Sequence, residues 1–304
     1  RSEFFIFIIS ILFGTIFTLL FLGISHISPL NTEWFNSYDL KSDLIAFKFF
    51  YNDNWRFPIG LNPNYGEIPN SIVFSGAVPI LSIVSKFFKF ILPDNFHFFS
   101  FWIFICFSFQ FLFGYKIIHH LTKNNYYSFV SAIFFLISPI LIYRLNLHLS
   151  LSAHWLILAS IYLDINQNQK NLLSKKIFLI VISSLIHFYF TIMLIIMNVI
   201  FSFFNNKLKF SYNFFRENFL ILLFLLITMF LIGYFHIPAT DALGFGFGYY
   251  KTNLLSFFDP AYSDDLNSWS IFLPNIYNSG GEKEGFAYLG LGMIIMIFYL
   301  MIKK

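Results

Sequence analysis

The chain has 304 residues, of which 58% are hydrophobic, 23% aromatic and only 11% charged; soluble domains carry about 25% charged residues. A water-soluble body of this size could not bury so much apolar side chain, so the composition predicts an all-α polytopic membrane protein. The net charge of +4 comes from basic residues scattered at the edges of apolar runs, which is no nucleic-acid signature, and the single cysteine, Cys106, excludes an intrachain disulfide framework or thiolate metal site.

In chain order, apolar runs at 4–24, 97–117, 127–144, 149–163, 219–236 and 286–302 read as membrane spans. Lys-rich, acid-poor connections lie at Lys116 to Lys123, Lys170 to Lys176, Lys207 to Arg216 and the Lys303–Lys304 end. With Arg1 they hold 11 of the 19 basic residues but only 3 of the 15 acids, namely Glu3, Asp164 and Glu217. The positive-inside rule places them in the cytoplasm. Both ends of the apolar stretch 177–204 are then cytoplasmic, so its 28 residues are expected to go out and return as two short helices with a tip near His187. A full crossing needs roughly 20 residues, and shorter elements persist only inside protein or along a wet cavity. The stretch 72–92 cannot cross without inverting every later loop. It is expected to be an amphipathic or re-entrant segment on the outer face, bent at Pro79, with Lys86 and Lys89 at the headgroups. The sum is about eight transmembrane or half-membrane helices in one membrane domain over 1–304, with large outer loops at about 26–96 and 237–285. The chain starts at Arg1 rather than Met and stops soon after a span. A longer natural protein, with a further region beyond Lys304, is therefore expected.

This topology gathers the conspicuous polar groups on one side. The first loop supplies Glu33, Asp39, Asp43, Asp53, Arg56 and Glu67. The turn "YRLNLHLSLSAHWLIL" adds Arg144, Asn146, His148 and His154, the short helical pair adds His187, and the last loop adds Lys251, Asp259 and Glu284. Each has a plainer reading. Asp39 and Asp43 can be the wet face of an interfacial helix, Arg144 can snorkel to headgroups, and His154 can make a structural hydrogen bond. His187 is harder to explain that way, because the tip of a buried short pair already implies a cavity. "GFGFG" (Gly244 to Gly248) lacks the flanking strand and helix of a phosphate loop. No HExxH or comparable ligand spacing appears, so a tight protein metal site is not expected.

One membrane helix, then a large outer loop opening with an Asp, then many spans, resembles the GT-C superfamily of membrane glycosyltransferases. More closely, "WRFPIGLNPNYG" (Trp55 to Gly66), "HLSLSAHWLIL" (His148 to Leu158), "YYKTNLLSFFDP" (Tyr249 to Pro260), "WSIFLP" (Trp269 to Pro274) and "EGFAYLGLG" (Glu284 to Gly292) resemble a bacterial family catalogued as domain of unknown function 6311. The GT-C resemblance implies transfer of a sugar from a polyprenyl-phosphate donor to a glycan or lipid acceptor at the periplasmic face of the inner membrane, with no nucleic-acid partner. By position, Asp39 matches the acidic residue that opens the first outer loop in those enzymes. Their acidic motif is often a close pair, whereas here Lys41 and Ser42 stand between Asp39 and Asp43. That spacing argues against the pair holding metal, and a divalent cation (Mg or Mn) stays open as a cofactor.

The expected mechanism has Asp39 as base, with Glu284 and Asp43 as the other carboxylate candidates. Arg144, His148, His187, Lys251 and Arg56 would hold the donor phosphate. Trp55, Tyr65 and Trp269 would contact sugar or acceptor. The alternative is a flippase or transporter of a lipid-linked glycan that uses the same groove without chemistry. Transporters tend to show internal repeats and bind near the bilayer midplane. Here no repeat is visible, and the polar groups collect at one face.

Overall fold

The computed structural model describes residues 2–65, 70–236, 254–260, 270–273 and 287–303. Apart from a two-stranded ribbon the described chain is helical. It divides into two compact units, one formed by 1–136 and 144–238, the other by 137–143 and 239–304.

In the first unit α1 (Ser2–Leu22) and α4 (Phe99–Thr122) lie together, and α4 also packs on α5 (Asn125–Leu136) and α7 (Trp155–Ile165). α4 is the central element: 61% of its apolar window is buried, against 17% for α1 and for α10 (Tyr212–Ile232). The exposed faces of α1 and α10 are walls of Phe, Leu and Ile, such as Phe4, Leu20, Phe219 and Phe230. Water does not tolerate continuous apolar faces of that kind, whereas lipid does. Among the described residues five elements are long and apolar enough to cross a bilayer: α1, α4, the run Asn125–Leu147, α9 (Phe188–Asn205) and α10. The run Asn125–Leu147 is interrupted between α5 and α6 (Pro139–Leu147), where Pro139 disfavours helix at the preceding residue.

The stretch 177–204 does break near His187, but its second half is not the short element expected: α9, with 18 residues, is long and apolar enough to cross a bilayer. α8 (Leu172–Ser184) ends, Leu185 to His187 leave the helix, and α9 begins at Phe188. A break buried in a bundle leaves carbonyls without partners, a serious cost away from water. Here the Leu185 carbonyl accepts from the Ile80 backbone N–H at 2.7 Å, and the Ser184 carbonyl accepts from the Tyr234 hydroxyl. The break is therefore built into the fold.

The long segment between α1 and α4 is itself folded. Ser37 caps α2 (Tyr38–Asn52) by accepting from the Leu40 N–H at 3.2 Å, and Asp39 sits in the first turn, where the helix dipole favours a carboxylate. β1 (Leu61–Asn62) pairs antiparallel with β2 (Asn70–Ser71). This ribbon covers the end of α10: Ile59 and Gly60 donate to the Leu231 and Ile232 carbonyls, and the Ser71 hydroxyl also donates to Ile232. Gly233, at φ 99°, terminates α10 in the left-handed conformation glycine adopts cheaply.

α3 (Pro79–Phe87) is a nine-residue helix too short to span, as the sequence predicts. The headgroup placement of Lys86 is corrected. Lys86 is buried, its Nζ lies 4.0 Å from the Phe50 ring centroid and 4.9 Å from that of Trp55, and it donates to the Asn54 carbonyl at 3.1 Å. A cation at such a site is held by ring faces and a carbonyl rather than by lipid phosphate.

At the opposite end of the bundle Lys176 is also buried, and its Nζ lies 2.9 Å from both Asp164 Oδ1 and Glu217 Oε1. Ser202 donates to the other Glu217 oxygen at 3.0 Å. These residues, read from sequence only as cytoplasmic charge markers, tie α7, α8, α9 and α10 together. In the second unit the Leu289 N–H donates to the Phe257 carbonyl, and the ring of Phe258 meets that of Phe298 on α11 (Leu291–Ile302).

Candidate functional site

A cavity of about 570 Å³ opens in the first unit, lined by residues from the α2 face, the 73–76 turn, the 148–151 turn, the α8–α9 break and the end of α10. That volume lies within the roughly 300–1,000 Å³ of small-molecule sites. Asp39, Asp43, His148 and His187 all line it.

α2 supplies both carboxylates. Leu40, Asp43, Phe47 and Phe50 repeat at the three- and four-residue steps of a buried helical stripe. Asp43 occupies a core position, only 6% exposed, while Asp39 one turn earlier is partly exposed. The Gly76 N–H hydrogen-bonds the Asp43 carboxylate, whose Oδ2 has no partner among the described residues. Burial is the main cause that pushes the Asp43 carboxyl up to about 7; His148 pulls it down, Asp39 pushes it up and the Gly76 bond pulls it down. A Cβ at position 76 would collide with both carboxylate oxygens, so only glycine allows this approach. Val78, two residues on, is held at φ 44° and fully buried; a β-branched residue in the left-handed region marks local strain.

The imidazoles come from two other segments. His148 Nε2 lies 3.8 Å from Asp39 Oδ2. His187 caps α9, its Nδ1 accepting from the Tyr189 N–H at 3.2 Å. Because Nδ1 accepts, the ring proton resides on Nε2, leaving His187 a fixed hydrogen-bond donor at the N-terminus of an 18-residue helix. Arg144 lies in the last turn of α6, within electrostatic range of His187, but does not itself line the cavity. Phe74, Phe188, Met229, Tyr234 and Phe235 make the rest of the wall largely apolar.

Other expected residues lie elsewhere. Arg56 is not at the cavity: Asp53 holds its guanidinium through bonds of 2.9 and 3.0 Å, and that pairing holds the Asp53 carboxyl below the usual carboxylate range. Trp55 stacks under Lys86 instead of lining the cavity. Tyr65 comes close, its hydroxyl 2.9 Å from that of Ser42, which is a lining residue. His154 packs edge-on against Phe190 and is not in the lining. Glu284, Lys251, Trp269, Glu67 and the 244–248 glycines lie outside the described residues. Among the described residues no group of three or more His, Cys, Asp or Glu could hold a metal ion.

Gly76, Ser42, Ser150 and Tyr234 were not among the residues expected from sequence, yet all line the cavity. The run Ser75–Gly76–Ala77 ahead of Pro79 carried a usable signal, since small residues before a helix start permit close backbone approach.

Two of the elements with the length and composition of membrane spans, α9 and α10, contribute residues to the wall of this cavity. The chain belongs to the family described as domain of unknown function DUF6311, whose family model matches residues 11–304. No curated protein and no solved structure gives a significant match.

Proposed function

We propose that the chain is a membrane glycosyltransferase that moves a sugar from a polyprenyl-phosphate donor to an acceptor hydroxyl at the outer face of the bacterial inner membrane. The observation that supports it is the convergence of two carboxylates and two imidazoles, from three separate segments, on one open cavity with an otherwise apolar wall. A lipid phosphate needs fixed donors, and a hydroxyl nucleophile needs a base with a pKa near working pH.

Within this proposal Asp43 takes over from Asp39 as the base. Its Oδ2 has no partner among the described residues, and a carboxyl near 7 exchanges protons readily at neutral pH. The acceptor oxygen attacks the anomeric carbon and gives its proton to Asp43. The bond from that carbon to the phosphate oxygen breaks, the lipid phosphate leaves with the electron pair, and the anomeric configuration inverts. His187 donates from Nε2 to the phosphate, the α9 N-terminus adds its dipole, and Arg144 supplies positive charge nearby. Asp39 holds His148 at the cavity wall. The apolar wall at the end of α10 receives the first isoprene units.

The test is transfer from radiolabelled polyprenyl-phosphate sugars to a membrane acceptor fraction. Asp43→Asn is expected to lower turnover by ~10²–10⁴ while donor binding is kept. Undiminished transfer by Asp43→Asn removes it as the base. A lack of transfer by wild-type protein from every donor tried ends the glycosyltransferase reading.

A further inference from the structure

Two of the groups on the cavity wall are held by opposite ends of one short segment. Gly76 donates its backbone N–H to the Asp43 carboxylate, and four residues later Ile80 donates its own to the Leu185 carbonyl at 2.7 Å. Leu185 caps the end of α8 and stands two residues before His187. Asp43 and His187 both line the cavity, whereas Val78, Ile80 and Leu185 do not. The His187 ring follows the break closely: its backbone N–H donates to the Ser183 carbonyl at 2.9 Å, and its Nδ1 accepts from the Tyr189 N–H.

Between its two ends the segment has little freedom. The Ala77 carbonyl accepts from the Ser82 hydroxyl, and the Val78 carbonyl accepts from the Leu81 and Ser82 N–H groups at 3.0 and 3.2 Å. Pro79 has a fixed φ and restricts the residue before it. Val78 is fully buried at φ 44° and ψ 76°. Glycine would take that conformation with far less strain. A β-branched residue persists there only where its surroundings over-determine it, and such outliers cluster at functional sites.

We propose that Gly76–Ile80 is a strut, with Val78 as its positioning residue, that fixes the spacing between the Asp43 carboxylate and the His187 ring. Val78 acts through the two backbone bonds at the ends of the segment. Two groups that work on one ligand need such a fixed spacing, because a misplacement of about 1 Å can cost ~10²-fold in rate. The consequence for turnover rests on the glycosyltransferase reading; the mechanical coupling of the two wall elements does not.

The experiment compares the full chain in lipid nanodiscs with two variants. Val78→Gly relaxes the strained residue, and Pro79→Ala keeps the valine side chain while freeing its backbone, so the second variant carries the test if the first fails to fold. Amide hydrogen exchange, read without substrate, should rise ~10-fold in peptides holding Gly76 to Ile80 and, together with them, in peptides holding Leu185 to Tyr189. Peptides holding Ile59 and Gly60, which bond the end of α10, should be unchanged. A rise confined to the first segment overturns the inference, as does no rise at all. A rise throughout the chain makes Val78 and Pro79 ordinary packing residues and also overturns it. In the transfer assay kcat/KM should fall ~10–100-fold with a raised donor KM. The acid limb of its pH profile should move to higher pH, because the Gly76 bond lowers the Asp43 pKa and its loss removes that effect, while Asp39 and His148, the other groups acting on Asp43, are untouched. A lower kcat with KM and the acid limb unmoved overturns the positioning role. No transfer by the wild-type chain ends the glycosyltransferase reading, and the exchange comparison then decides the strut by itself.

Discussion

Replacing Asp43 by Asn separates what the residue does for stability from what it does for chemistry. Asn keeps the shape of the side chain and the oxygen that Gly76 can bond, but it cannot ionise. In the fold the Asp43 carboxyl lies at about 7 instead of 3.8, mainly through burial. At ~1.4 kcal/mol per tenfold change in the proton equilibrium, the ionised form costs the folded state ~4 kcal/mol at most, and water in the open cavity reduces this to ~2–4 kcal/mol. The sign follows from the direction. A folded-state pKa above the unfolded value means that the folded chain holds the proton more tightly. The penalty is absent below pH 4, grows as pH rises from 4 to 7, and is complete above 7. Asp43→Asn should therefore melt close to wild type at pH 4.5 and distinctly higher at pH 8, measured by tryptophan fluorescence in detergent. Transfer activity should move the opposite way, as expected where stability is given up for function. If the variant is no more stable than wild type at pH 8, or is stabilised equally at both pH values, Asp43 is not a carboxyl raised by burial, and the case for it as base fails.

Gly76→Ala should displace the Asp43 carboxylate and cut transfer about as deeply as Asp43→Asn, with a raised melting pH-dependence as its structural readout; wild-type activity in Gly76→Ala would show that the close approach is dispensable. Lys176→Met leaves Asp164 and Glu217 facing each other without their cation and should destabilise by ~3–5 kcal/mol in detergent melts, while the triple change with Asp164→Asn and Glu217→Gln should recover most of the loss. His187→Phe removes the Nε2 donor and the α9 cap together, so donor KM should rise at least ~10-fold with a melting change of only ~1 kcal/mol; an unchanged KM would separate His187 from the phosphate. For orientation, a cysteine at Tyr38, which is 87% exposed, should react with an impermeant thiol reagent outside intact cells while one at Lys123 should not, and the reverse pattern would invert the topology.

The sequence by itself determined the largely helical class and four of the long apolar elements, because apolar runs of fixed length are a one-dimensional signal and do not depend on what they touch; the runs 149–163 and 286–302, expected to span, form only shorter apolar helices. It also pointed to the break near His187, because Lys-bearing segments flank 177–204 at both ends and the positive-inside rule disfavours a single crossing between them. Only the tertiary structure decided which polar residues meet. Arg56 and Trp55 belong to the same motif as Tyr65, yet Asp53 and Lys86 hold them away from the cavity while Tyr65 reaches Ser42. Asp39 looked the stronger carboxylate because it opens the loop. Asp43 proved the buried one because α2 turns its Leu40–Asp43–Phe47 stripe inward against Gly76. Lys86 and Lys176 looked like surface charges, and both are buried. Burial and pairing arise between segments far apart in the chain, so no local pattern records them: the carboxylate, the glycine N–H that donates to it and the imidazoles beside it come from residues 43, 76, 148 and 187, and only folding brings them together.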